Sequence, residues 1–143
     1  MIDLFVELLS NRIIVAVIIS CIIAQMLKPI VEFFRTQKFN INLFISSGHM
    51  PSSHTASISA LTASFFVLEG ISNSFIISLV LAVVIFIDAT RLRMAVGRNI
   101  QALKKLTKSK EINELTGHTI PEALAGVILG TVIAVTIQIM YLV

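Results

Sequence analysis

Tryptophan is absent from this 143-residue chain and tyrosine occurs once, so any interfacial aromatic belt must be thin and carried by phenylalanine. Charge is scarce as well. Only 13% of residues are Asp, Glu, Lys or Arg, against about 25% in an ordinary soluble domain. That shortfall argues against a soluble enzyme, and no nucleic-acid partner is expected. The single cysteine, Cys21, lies inside an apolar run and has no internal disulfide partner. Its simplest role is that of a small hydrophobe facing lipid or a neighbouring helix. No cleaved leader is expected, because Asp3 and Glu7 stand where a signal peptide would be positive and no small-residue cleavage site follows. Repeats and low-complexity stretches are also lacking.

Hydrophobic residues, by contrast, make up 56% of the chain, and the mean hydropathy is +0.94. Four segments approach the roughly 20 apolar residues that a spanning helix needs. They are residues 12–34, 53–68, 74–93 and 121–143. The second is short and rich in small residues (Ala56, Ser57, Ser59, Ala60, Ala63, Ser64), which suits close helix contacts at the centre of a bundle. Gly126 and Gly130 give the last segment a similar face. Residues 94–115, "MAVGRNIQALKKLTKSKEINEL", place Ile100, Leu103 and Leu106 on one side and lysines elsewhere, the pattern of an interfacial amphipathic helix. The expected fold is all-α: a polytopic membrane helix bundle with about four transmembrane helices plus an interfacial amphipathic helix, in one domain over residues 1–143.

The polar connectors at 35–52 and 94–120, with the adjoining helix ends, carry almost all the positive charge, and Arg12 alone falls on the other side. The positive-inside rule then predicts both long connectors in the cytoplasm and both termini outside. Counting spans brings the ends of the first and third helices and the starts of the second and fourth to one face. That face would gather Lys28, Arg35, His49, Ser52, Ser53, His54, Asp88, Arg91, Arg93, Arg98, His118 and Glu122. Cations, histidines and two helix N-termini at one depth suit an anion such as phosphate. Each part also has a plain structural role. Ser52 or Ser53 would cap a helix, "TIPE" would form a capping box with Thr119 and Glu122, and Asp88 and Arg91 would neutralise each other.

Three stretches, "GHMPSSHTA", "DATRLRMAVGRNIQAL" and "LTGHTIPEALAGVILG", together resemble the divergent branch of the type 2 phosphatidic acid phosphatases, relatives of acid phosphatases and vanadium haloperoxidases. The resemblance runs from about Gln25 to Gly130. Lys28 and Arg35 match the first superfamily signature, with Thr36 in place of its proline. Pro51, Ser52, Ser53 and His54 match the second, with serine for glycine, and His118 and Glu122 match the end of the third, with glutamate for aspartate. Ile112 stands where that signature has an arginine. Arg93 fits an arginine pair of the divergent branch, Met94 takes the second place, and Arg91 or Arg98 could compensate. His49 replaces a glycine usual in the branch.

The resemblance implies hydrolysis of a lipid phosphate or pyrophosphate through a phosphohistidine, with no metal or other cofactor. His118 would be the nucleophile, Glu122 its orienting carboxylate and His54 the general acid. Lys28, Arg35, Arg93 and the backbone at Ser52 and Ser53 would hold the phosphate oxygens, with Asp88 in support. Two other readings stand beside it: a non-catalytic lipid-phosphate binder or subunit of a larger membrane assembly, and a metal site built from His49, His54, His118 and Glu122. A homodimer is a further expectation, since four helices bury little surface. The expected location is a prokaryotic inner membrane.

Overall fold

Each long apolar helix opens beside a short polar residue, Asn, Ser or Thr, of the kind that takes up the first free N–H groups. In the computed structural model, which describes residues 6–7, 10–39, 41–44, 48–107 and 117–141, Asn11 accepts from Ile13 N–H at 2.9 Å and opens α1, Arg12–Thr36. A short 3₁₀ turn follows at Ile41–Phe44. Ser52 caps α2, Ser53–Glu69, and Ser72 caps α3, Asn73–Ile87. Between them Gly70 ends α2 with φ +65°, a backbone conformation that glycine adopts freely. A π-helical turn, Asp88–Leu92, leads directly into α4, Arg93–Thr107, and α5 covers Ile120–Met140.

Three helical runs are long and apolar enough to cross a membrane: Arg12–Thr36, Asn73–Thr107 and Ile120–Met140. With its 17 residues, α2 stands at the short limit of about 17 for a span. It lies at the centre, packed on α1, α3 and α5. The protein is therefore an all-α membrane bundle.

The amphipathic stretch is helical as expected, over Arg93–Thr107, and it continues from α3 through the π turn in one unbroken run of 35 residues. At about 1.5 Å per residue this run is roughly 52 Å long, well beyond a hydrocarbon core of about 30 Å. No proline interrupts it, and the π turn absorbs a change of register without ending the helix. The last part of the predicted segment, residues 108–115, lies outside the described residues.

Packing is inside-out relative to a soluble protein. The buried face of α2 is made of Ser53, Thr55, Ala56, Ile58, Ser59, Ala60, Thr62 and Ser64, and the core cluster is Ala16, Ala60 and Ala134. Large residues such as Ile77, Val80 and Val84 point outward. Without a hydrophobic drive between helices in lipid, close approach and hydrogen bonds hold the bundle. Gly126 and Gly130 supply that approach. A Cβ at Gly126 would overlap Thr55 Oγ1 and Ser52 O, and one at Gly130 would overlap Ala56 O. At the far end, buried Gln138 donates to Ser64 Oγ at 3.1 Å and ties α5 to α2.

Candidate active site

Two backbone hydrogen bonds assemble the polar end of the bundle. Ser52 N–H donates to Glu122 O at 3.1 Å and joins the start of α2 to the first turn of α5. His118 N–H donates to Ala89 O at 3.0 Å and joins the residues before α5 to the π turn. Thr55 Oγ1 adds a third stitch, donating to Ala123 O at 2.9 Å. Gly117 makes the second stitch possible, because a Cβ there would overlap the backbone of Met94. Helix starts and helix ends thus meet at one level, as the count of spans predicts.

His118 sits at the centre of this arrangement. Its side chain is 1% exposed, and neither ring nitrogen has a hydrogen-bond partner among the described residues. Glu122 Oε2 lies 3.6 Å from His118 Nδ1 and accepts Thr119 N–H at 2.9 Å. The capping role and the histidine-facing role foreseen for Glu122 therefore fall on the same oxygen. Burial, the largest influence, pushes the His118 pKa below its ordinary value of 6.5. Glu122 pulls it upward, while Lys28 and His54 act in the same sense as burial.

Lys28 is fully buried on α1 and within electrostatic reach of both histidines. A cation enclosed at membrane depth is costly and characteristic of a functional site. His54, on the first turn of α2, is more exposed and feels Arg93, Lys28 and Asp88. Lys28, His54, Asp88, Arg93, His118 and Glu122 form one electrostatic group.

The π turn explains how Arg93 joins it. Arg93 N–H donates to Asp88 O, and Arg93 Nε bonds Asp88 Oδ2 at 2.9 Å. Both contacts are five residues apart, the separation that a π turn brings together. The expected Asp88–Arg91 pair is corrected accordingly: Asp88 pairs with Arg93, and Arg91 is exposed. Arg35 and Arg98 are exposed as well.

Ser52 caps α2, as one of the two readings expects; its side chain is buried and its own N–H donates to Glu122 O. Ser53 stays buried at the first position of α2. His49 lies near the site in sequence with φ +71°, the left-handed region in which the usual glycine of the branch would rest without strain. Among the described residues no three His, Cys, Asp or Glu side chains come together as metal ligands, so the set of His49, His54, His118 and Glu122 is not assembled. Ile112, at the position of the missing signature arginine, lies outside the described residues.

Several residues of this site escape sequence reasoning. Thr55 and Gly117 work through tertiary contacts that only the assembled bundle supplies.

This geometry defines a class: a small helical membrane protein with a buried histidine beside a carboxylate and a fully buried lysine at one end of the bundle. The chain belongs to the divergent PAP2 family, which it matches over residues 9–133. It is also 27% identical over 157 aligned positions to "Uncharacterized membrane protein YuiD" of Bacillus subtilis (strain 168), covering 95% of this chain and 99% of that protein. No solved structure matches it.

Proposed function

We propose that this protein is a membrane-embedded phosphatase that hydrolyses a lipid phosphate or pyrophosphate through a phosphohistidine, without metal. The observation that carries the reading is His118, buried with both ring nitrogens unpartnered among the described residues and its Nδ1 facing Glu122. With Nδ1 held toward the carboxylate, Nε2 is left as the attacking atom. It forms a bond to phosphorus as the bond to the ester oxygen breaks, and His54 gives that oxygen its proton. Water then attacks phosphorus, the P–N bond breaks, and His54 takes the proton from water, releasing inorganic phosphate. Lys28, Arg93 and the first free N–H groups of α2 stabilise the charge that builds on the phosphoryl oxygens. Arg35, Arg91 and Arg98, all exposed, contribute long-range attraction for the anionic headgroup.

The charge bias supports a site that faces the cytoplasm with both termini outside, and the Bacillus relative supports a bacterial plasma membrane. The test is phosphate release by detergent-purified protein from a panel of lipid phosphates and pyrophosphates in EDTA, with His118→Ala in parallel. Turnover in EDTA that disappears in the variant is the expected result. A binding module is the competing reading, favoured by the near-complete enclosure of His118 and the exposure of Arg35. It predicts retained phospholipid and no turnover on any substrate.

A further inference from the structure

Beyond Arg93, α4 is the helix that the bundle leaves uncovered. None of its residues is buried, and it packs mainly on the π turn. Val96, Ile100, Leu103 and Leu106 follow one another at intervals of four, three and three residues, which puts them on one side. Leu106 is 82% exposed, and Val96 and Leu103 are exposed too. The other sides carry Arg98, Lys104 and Lys105, and no Asp or Glu occurs between Arg93 and Thr107.

That charge selects the partner. A second copy of α4 brings the same excess of cations and is repelled, whereas an anionic surface is attracted. Such a surface is within reach. About 20 residues from Asn73 span a hydrocarbon core of about 30 Å, so the run leaves the core near Arg93 and α4 starts at headgroup depth. The π turn is the joint at which α4 can settle toward the headgroups, since helices bend at such turns. An apolar stripe flanked by cations is the pattern that lies on anionic lipid.

The same joint touches the candidate site twice. His118 N–H donates to Ala89 O of the π turn at 3.0 Å. Gly117 packs so closely on the start of α4 that a Cβ there would overlap Met94 N. The bearing of α4 is thus delivered to His118 through backbone.

We infer that α4 makes the site responsive to its own membrane: anionic headgroups hold α4 in one bearing, and that bearing holds His118 in place through the π turn. A ligand shifts an equilibrium only by binding one arrangement better than another, and an anionic surface does so here because only one bearing lays the stripe and the cations on it. The kinetic part of the test rests on the phosphatase reading, and the structural part does not.

The full chain is placed in nanodiscs of phosphatidylcholine, with or without phosphatidylglycerol. Amide hydrogen exchange is followed in α4 and at His118, and kcat is measured on the panel of lipid phosphates and pyrophosphates given above. Phosphatidylglycerol should slow exchange at both places by about tenfold and raise kcat by a similar factor. Each cation near the surface accounts for about fivefold, so Lys104→Gln/Lys105→Gln should lose most of the response. Leu106→Ser, at an exposed position, should weaken it as well. If exchange in α4 ignores phosphatidylglycerol, the lipid assignment is overturned and the face is left to an acidic protein. A response of α4 that reaches neither the His118 amide nor kcat overturns the coupling. A full response in the double lysine variant overturns the role of the cations. Responses at both amides with no turnover in any lipid uphold the coupling and remove the phosphatase reading.

Discussion

Glu122 serves two groups with one carboxylate oxygen, and glutamine separates them. A glutamine in this place can still accept from Thr119 N–H, so Glu122→Gln should stay within about 1 kcal/mol of wild-type stability. It removes the negative charge beside His118 Nδ1, and kcat/KM should fall by about 100-fold or more. If stability drops while activity is kept, Glu122 is only a cap. His118 sets a second expectation. Its folded-state pKa lies below the unfolded value of about 6.5. Between those two values the unfolded chain holds a proton that the folded chain does not, so stability is full above about 6.5 and falls as pH drops toward the folded value. Melting in detergent from about pH 7.5 to about pH 5 should show that slope, and His118→Gln should flatten it.

At the scale of elements, the apolar runs already mark the helices. Segments 12–34, 53–68 and 121–143 correspond to α1, α2 and α5 within a few residues, because Asn11, Ser52 and Thr119 stand at their starts. The π turn was not legible, since "DATRL" reads as ordinary helix and its widened register goes with a contact from His118, distant in sequence. For the same reason the Asp88 partner was misassigned by two residues. The glycine contacts were half legible. "GVILG" announces a close approach without naming its partner, and the partner is α2 of the same chain rather than a second subunit. Gly126→Ala and Gly130→Ala should each cost about 1–3 kcal/mol through overpacking against backbone or the Thr55 hydroxyl. Gly117→Ala should lower activity along with stability, because it pushes His118 away from Ala89. A Gly130→Ala variant that melts like wild type would contradict the packing of α5 on α2.

The whole molecule pairs a small, partly polar interior with a large-residue apolar exterior, and gathers the ionisable groups of the candidate site at one end. The positive charge around that end predicts the orientation in the membrane. Reporter domains fused to the N- or C-terminus should read as outside, and a reporter placed after Thr107 should read as cytoplasmic; the opposite pattern would mean that ligand-binding cations imitate the positive-inside signal. The π turn has a consequence at this scale too. In terms of helical phase it acts as a one-residue delay, so every side chain from Arg93 onward is rotated by about 100° from the direction that α3 alone would give it. The basic arm of α4 and the lipid-facing wall of α3 belong to one continuous rod, yet their bearings are independent. Deleting a single residue from "DATRL" would leave a rod nearly as long and as apolar while turning the arm, and Arg93 with it, to a different side of the bundle.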